Sequence, residues 1–399
     1  MTFHPNRTCF RCMLRQSRIR TLLVSKSRCQ PFSSSLSLGV AAESSRAELE
    51  SAKKYCVALL QKYDRPSYTL STFIPQHTLH LYLALRALNV SLSLIPDSTS
   101  NPTIGLMRLQ FWRETITKTL AGTPPKEPVA LFLANALSDL DVRTKGKVKI
   151  NKGWLMRLIK AREQHVTNTP YTTLASLEKY AENTYSTLLY LTLSALPLSS
   201  LTADHLASHI GKAAGISSVL RGLPLVAFPR PPNHHSNQDG TGSKATGTHQ
   251  GHITLPLDVM AQSGVKEEDV FRLGADAPGL RDAIFTIATR ASDHLITARQ
   301  MLKNLRAGED VGHDFEHQGE EGHEYPEQLK SGDHPEGLKL SMQLHEVERG
   351  FGVLMPAVPT QLWLDRLQKV DFDIFKPEHL LSDWRLPWKS YWAFRRKVF

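Results

Sequence analysis

From Ser45 to about Ala227, apolar residues recur at three- and four-residue intervals, and runs of β-branched residues alternating with polar ones are missing. That period confines this half of the chain to helices. Leu79, Leu83 and Leu88 with Val90 and Leu94 form one apolar stripe, and Pro96-Asp97 marks where that helix should stop. Trp154, Leu155, Leu158 and Ile159 repeat the pattern before Thr169-Pro170 breaks it. Ser186 to Leu196 is apolar nearly all round, as a helix at the centre of a bundle would be. The expected fold is all-α, a single large helical bundle.

The chain of 399 residues, 41% of them hydrophobic, suffices for a large packed core. Its formal charge of +10 is unevenly spread. Seven basic residues (Arg7, Arg11, Arg15, Arg18, Arg20, Lys26, Arg28) and no acidic ones fall in the first 42 positions, which leaves +3 for the remainder. The basic balance is thus a property of the leader, and nucleic acid is not an expected partner of the folded part. Rich in Arg and Ser, devoid of Asp and Glu, and punctuated by Leu22, Leu23, Val24, Phe32 and Leu36, residues 1–42 read as a mitochondrial transit peptide, and 43–399 as the folded domain.

Cys9, Cys12 and Cys29 fall in that leader, so Cys56 is the one thiol expected in the mature chain, and neither a disulfide framework nor a cysteine metal site is expected. No run of 18 or more uninterrupted apolar residues suggests a membrane-spanning helix.

Two polar segments interrupt the helical pattern. Residues 229–251 hold Pro229, Pro231, Pro232, Gly240, Gly242, Gly247 and Gly251 and read as a flexible loop. Residues 306–350 carry many acidic residues with His313, His317, His323 and His334, and read as a solvated insertion, because nothing there fixes a metal's ligands in place. His205 and His209 stand four apart on one helical face, a metal-ligand spacing. Without a third ligand they read as a capping or packing pair, with Thr202 and Asp204 near the helix start.

Four motifs recur in an order that carries information. The first is Ala84-Leu85-Arg86-Ala87-Leu88-Asn89-Val90-Ser91-Leu92-Ser93, and the second is Tyr180-Ala181-Glu182-Asn183-Thr184-Tyr185-Ser186. The third is Gly215-Ile216-Ser217-Ser218-Val219-Leu220-Arg221-Gly222, and the fourth is Gly251-His252-Ile253-Thr254-Leu255-Pro256-Leu257-Asp258. With Trp112-Arg113, Ala298-Arg299 and the stretch from Pro356 to Phe375, they resemble the squalene/phytoene synthase family over roughly residues 50–395. The resemblance implies the helical isoprenoid-synthase fold.

The same resemblance exposes what has changed. Where the family's first motif places an Arg three residues before Asp-x-x-x-Asp, this chain has Arg86 and then Asn89 and Ser93; in the second Asp-rich stretch it has Ser218-Val219-Leu220-Arg221-Gly222. Two carboxylates at i and i+4 share a helical face and can jointly hold Mg²⁺ against a diphosphate, which an amide and a hydroxyl cannot do. Arg86, Asn89, Ser93, Ser218, Arg221 and Gly222 are therefore vestigial diphosphate-site positions. No catalytic residue, metal ligand or cofactor is assigned.

Runs such as Thr103-Ile104-Gly105-Leu106-Met107-Arg108-Leu109-Gln110-Phe111-Trp112 and Val370-Asp371-Phe372-Asp373-Ile374-Phe375 resemble the family's mitochondrial, non-catalytic branch. That likeness implies work on the matrix face of the inner membrane in assembling respiratory complex I, with complex I subunits or assembly intermediates as partners.

The remaining cations, Arg86, Lys212 and Arg221, could bind an anion or lipid headgroup without metal, an isoprenoid or lipid being the candidate ligand. They could equally pair with internal carboxylates such as Glu182. An active prenyl transferase using substitute acids such as Glu114 or Glu182, and a lipid-binding protein with no assembly role, are the alternative readings.

The C-terminus holds Trp384, Trp388 and Trp392 with Tyr391, Arg395 and Arg396, the aromatic-beside-cation composition of a peripheral membrane interface. A final core helix with its tryptophans packed on the bundle is the alternative. Pro387 is expected to interrupt any long amphipathic helix there.

Overall fold

The computed structural model describes residues 35–99, 101–196, 198, 201–229, 251–309, 336–381 and 383–399. The transit-peptide reading with Cys9, Cys12 and Cys29, and the bulk of both polar segments with His313, His317, His323 and His334, therefore lie outside the described residues. The chain divides into two compact units, 1–45 and 46–399. Of the first, residues 35–45 are described, and they are helical. All four motifs fall in the second.

Among the described residues every regular element is helical. In order these are α1 (Ser35–Tyr63), α2 (Arg65–Leu70), α3 (Gln76–Ser93), α4 (Pro102–Leu120), α5 (Pro128–Thr144), α6 (Lys152–Gln164), α7 (Leu174–Ala181), α8 (Thr187–Leu193), α9 (Leu201–Ala227), α10 (Leu257–Ser263), α11 (Glu267–Leu273), α12 (Leu280–Ala307), α13 (Glu336–Leu354), α14 (Ala357–Lys369) and α15 (Leu386–Arg396). A π-helical turn, Glu182–Ser186, joins α7 to α8. Such turns concentrate at functional sites, and this one supplies wall residues to three cavities.

Local chemistry sets the boundaries. Asp64, Asn101, Glu127 and Asn151 each accept a backbone N–H in the first turn of α2, α4, α5 and α6, and Pro66, Pro102 and Pro128 stand where a missing N–H costs nothing. Thr173 and Ser176 close a reciprocal capping box on α7. Gly264 and Gly308 end α10 and α12 in the left-handed region.

α9 is the central helix. It packs against α7, the π turn, α8, α12, α13 and α14. Its closest approach is built on Gly211 and Gly215: a Cβ at Gly211 would overlap the backbone of Ser186, and one at Gly215 would sit 2.5 Å from Cβ of Ala181. The π turn therefore lies directly on the α9 backbone. Beside it α8 is buried along its whole length, as its all-round apolar sequence requires.

The structure revises two expectations. Residues 336–350 belong to α13, which packs on α8, α9 and α12. Leu340, Leu344, Val347 and Phe351 recur at helical spacing, and Val347 and Phe351 are fully buried, so an apolar stripe underlies the acidic composition. Pro387 does not interrupt a helix but begins one, at the first positions of α15.

Candidate functional site

α3 and α9 contribute the two vestigial motifs to one cavity of about 140 Å³. Arg86, Asn89 and Ser93 enter from α3 and Ser217, Ser218 and Arg221 from α9, with Tyr185 of the π turn, Asp64 and Trp363 of α14 completing the wall. A wider cavity of about 470 Å³ shares Asp64, Tyr185, Ser218, Arg221 and Trp363 with it, and adds Gly222, Arg366, Leu381 and Asp383. Motif positions 86, 89, 93, 218, 221 and 222 are thus gathered at one end of the bundle.

Their partners show what has replaced the carboxylates. Asn89, 5% exposed, accepts a hydrogen bond at Oδ1 from Nη2 of Arg162 at 2.9 Å. Arg162 also donates from Nη1 to the Tyr180 hydroxyl at 2.6 Å. Its guanidinium is held in a cage of Tyr171, Tyr180 and Tyr185; burial opposes its charge, yet the surrounding tyrosine oxygens leave it held above the usual arginine range. The Ser93 hydroxyl donates to the Val90 carbonyl at 2.9 Å, within its own helix. Gly222 has open space beyond its Cα and offers no donor.

Arg86 is 5% exposed and lies over the ring of Tyr82, 5.4 Å from its centroid. Arg221 donates from Nη2 to Oγ of Ser218 at 3.4 Å. The Ser217 hydroxyl is buried and has no hydrogen-bond partner among the described residues. Asp64 supplies the one carboxylate of the 140 Å³ wall, and its Oδ1 is committed to the Ser67 N–H at 3.2 Å.

Lys212 does not join Arg86 and Arg221. Nine residues separate it from Arg221, two and a half helical turns, so the two side chains leave opposite faces of α9. Lys212, 4% exposed, lines a separate cavity of about 940 Å³ with Arg113, Arg157, Lys160, Lys179, Glu178 and Glu182. Glu182 accepts from the Tyr190 hydroxyl at 2.6 Å and from Ser208 at 2.9 Å, on this side of the bundle rather than beside Arg86. The three expected cations are therefore split between two sites.

His205 and His209 are packed ring to ring, 5.3 Å between centroids. His209 Nδ1 lies 3.0 Å from Nδ1 of the fully buried His294, whose Nε2 is 3.1 Å from Oε1 of Glu178, a carboxylate that Arg290 also meets at 3.3 Å. These contacts realise the packing role. Asp204 stands in the first turn of α9 and Thr202 within the helix, so neither is the cap; burial pushes the Asp204 carboxyl up to about 6.

At the C-terminus Trp384, Trp388 and Trp392 are 78%, 67% and 53% exposed, with Tyr391, Arg395 and Arg396 also outward. Packing instead uses Leu386, Ser390, Ala393 and Phe394, at spacings of four, three and one. The tryptophans are not core residues. No helix among the described residues is long and apolar enough to cross a membrane.

Arg162 and Ser217 were not singled out from the sequence. Arg162 follows Leu155, Leu158 and Ile159 by seven, four and three positions, all fully buried, so a cation continues the apolar stripe of α6. That is a legible signal of a buried, partnered charge.

Comparison with known proteins matches the squalene/phytoene synthase family model to residues 60–311. The relatives named NADH dehydrogenase (ubiquinone) complex I, assembly factor 6, from Mus musculus and Homo sapiens are each 33% identical over 345 residues, covering 86% of this chain and 82% of the relative. A Drosophila melanogaster homolog of that protein is 29% identical over 340 residues. Among solved structures, a dehydrosqualene synthase superposes with a TM-score of 0.59 at 13% identity, covering 88% of this chain and 99% of that one. Squalene synthase HpnC from Alicyclobacillus acidocaldarius superposes at 0.53, also at 13% identity, over 82% and 97%. These structures share the all-α isoprenoid-synthase fold.

Proposed function

The chain belongs to the squalene/phytoene synthase family, and from that premise we propose that it is a non-catalytic mitochondrial member serving the assembly of respiratory complex I. The relatives' shared name supplies the process, and likeness along most of both chains supports carrying it over. The observation that carries the non-catalytic reading is the Asn89–Arg162 hydrogen bond.

The magnesium that the fold family implies does not fit these residues. Mg²⁺ takes hard, anionic oxygen ligands in near-octahedral array. Here the first aspartate place holds an amide whose oxygen already accepts from a guanidinium, the second holds a hydroxyl turned to its own helix, and Gly222 supplies nothing. Arg86 and Arg221 add positive charge to the same wall.

What the residues can do is hold an anion at the mouth between Arg86 and Arg221, with the C-terminal helix lying peripherally on the inner membrane's matrix face. The wider cavity supports the anion site: Leu381, Asp383 and Leu386 share its wall with Arg221, so the segment entering the C-terminal helix borders the same opening. Residues 1–42 act in this reading as the import signal, and 43–399 as the working domain.

The test is complex I abundance and NADH dehydrogenase activity on native gels of mitochondria from a strain lacking the protein, with the other respiratory complexes as controls. Selective loss of complex I, restored by the intact chain, is expected. Normal complex I would refute the assembly role, and Mg²⁺-dependent consumption of a prenyl diphosphate by the purified chain would refute the non-catalytic reading.

A further inference from the structure

We infer that the 140 Å³ cavity between α3 and α9 is a metal-free oxyanion site whose polarity is set by Arg162, a residue that does not line it. The inference rests on the non-catalytic reading above and deepens it by naming the ligand class. A guanidinium carries donors only, so the atom of Asn89 that meets Arg162 must be its oxygen. The NH₂ of Asn89 is then the end left for the cavity. An aspartate there would offer lone pairs to a cation; Asn89 held this way offers N–H to an anion.

The other groups on the wall agree in sign. Arg86 and Arg221 face the cavity from the two motif helices. Ser217 is 5% exposed, and its buried hydroxyl has no partner among the described residues, a donor awaiting an acceptor. The single carboxylate, Asp64, has one oxygen engaged at the α2 N-terminus.

Size decides the class of ligand. Pockets for drug-sized molecules run to roughly 300–1,000 Å³, against about 140 Å³ here. The space takes a phosphate-sized oxyanion, whether that oxyanion is a free phosphate ester or the headgroup of a membrane lipid. Arg162 acts as a positioning residue: it orients Asn89 and does not touch the ligand.

The experiment is calorimetric titration of the full chain with inorganic phosphate in EDTA, repeated with excess MgCl₂. Binding is expected in EDTA, with magnesium changing the affinity less than about twofold. Asn89→Asp should weaken phosphate about tenfold or more, because a donor becomes a like charge. Val142→Ala, at an exposed position of α5 that lines none of these cavities, should stay within about twofold. Arg162→Lys keeps a donor toward Asn89 and should hold affinity within a few-fold, whereas Arg162→Met, which leaves no donor there, should lose about tenfold. If the methionine variant does not fold, the lysine and Asn89→Asp variants decide.

Absence of phosphate binding in EDTA, binding only with Mg²⁺, or an Asn89→Asp protein that binds phosphate as tightly as the parent would each overturn the inference. Sedimentation with phosphatidylcholine vesicles carrying phosphatidic acid separates the sources: competition by phosphate identifies a lipid headgroup, and indifference identifies a free ester. The complex I gel phenotype does not depend on these titrations, so the site and the assembly role can fail separately.

Discussion

Arg162 on α6 and Asn89 on α3, 73 residues apart in sequence, meet at 2.9 Å. The same guanidinium reaches Tyr180, so one side chain joins α3, α6 and α7. Hydrogen bonds to charged groups contribute about 1.5–3 kcal/mol each, and deleting one partner leaves the other buried and unsatisfied. Arg162→Leu should therefore lower the unfolding free energy by about 2–4 kcal/mol in urea titration, part of the loss being offset by no longer burying a guanidinium. Tyr180→Phe should cost about 1 kcal/mol. An Arg162→Leu protein as stable as the parent would show that the bond contributes nothing net.

Two glycines of α9 make opposite predictions. An alanine at Gly211 drives its Cβ into the Ser186 backbone, which can yield only if the π turn and α9 move apart, and overpacking of this kind costs about 1–3 kcal/mol or more. At Gly222 a Cβ meets nothing within 4 Å, so alanine should gain about 0.5–1 kcal/mol from helix propensity. Thermal melts of the two variants should move in opposite directions.

The period of the apolar residues made the helices legible, because burial of one face dictates that spacing wherever a helix lies on a core. It also placed the end of α3 near Pro96, since proline cannot extend a helix. The motif positions were legible too, and the structure gathers 86, 89, 93, 218, 221 and 222 at one end of the bundle. Lys212 was misplaced because nearness along a helix says nothing of side: nine residues turn it to the other face. Arg162 was missed because its partners, Asn89 and Tyr180, are distant in sequence. The helical content of 336–350 was hidden by charge, since an amphipathic helix with a solvated face has the composition of a loop until its stripe of Leu340, Leu344, Val347 and Phe351 is counted.

Asp204 gives the fold a pH dependence whose sign is fixed. Burial raises its carboxyl to about 6 in the folded state, above the ordinary value near 4 that it regains on unfolding. The folded chain thus binds more protons between those values, and this contribution to stability, complete below about 4, is lost as pH rises through about 6. Asp204→Asn should therefore melt higher than the parent at pH 8, by about 1 kcal/mol given its partial exposure, and match it below pH 4. Equal melting at both pH values would show that the carboxylate is not destabilised.

The single described thiol should be inert. Cys56 is fully buried, and burial together with the nearby Glu127 carboxylate pushes it up to about 12, so almost no thiolate exists at neutral pH. Iodoacetamide should label Cys56 slowly in the native chain and readily in the urea-unfolded chain. Rapid labelling of the native protein would mean that α1 opens locally without global unfolding.

Trp388 and Trp392 lie four apart on one face of α15, Trp384 precedes them, and the opposite face is anchored by Leu386, Ser390 and Phe394, the last 5.2 Å from Phe73. The segment leading in is pinned as well: Asp383 accepts from Arg385 at 2.8 Å and from Arg366 at 3.2 Å, and these contacts hold its carboxyl down at about 2. A rigid base with aromatic rings outward and Lys389, Arg395 and Arg396 beside them is the arrangement in which rings enter the headgroup layer while cations meet anionic lipid. The chain should sediment with vesicles containing phosphatidylglycerol and much less with phosphatidylcholine alone, the difference shrinking as salt screens the charges. Replacing the three tryptophans with alanine should cut vesicle binding about tenfold or more without lowering the melting temperature, because none of the three carries the packing of α15. A triple variant that binds as well as the parent would return the tryptophans to ordinary exposed surface; one that unfolds would contradict the inward face assigned to Leu386, Ser390 and Phe394.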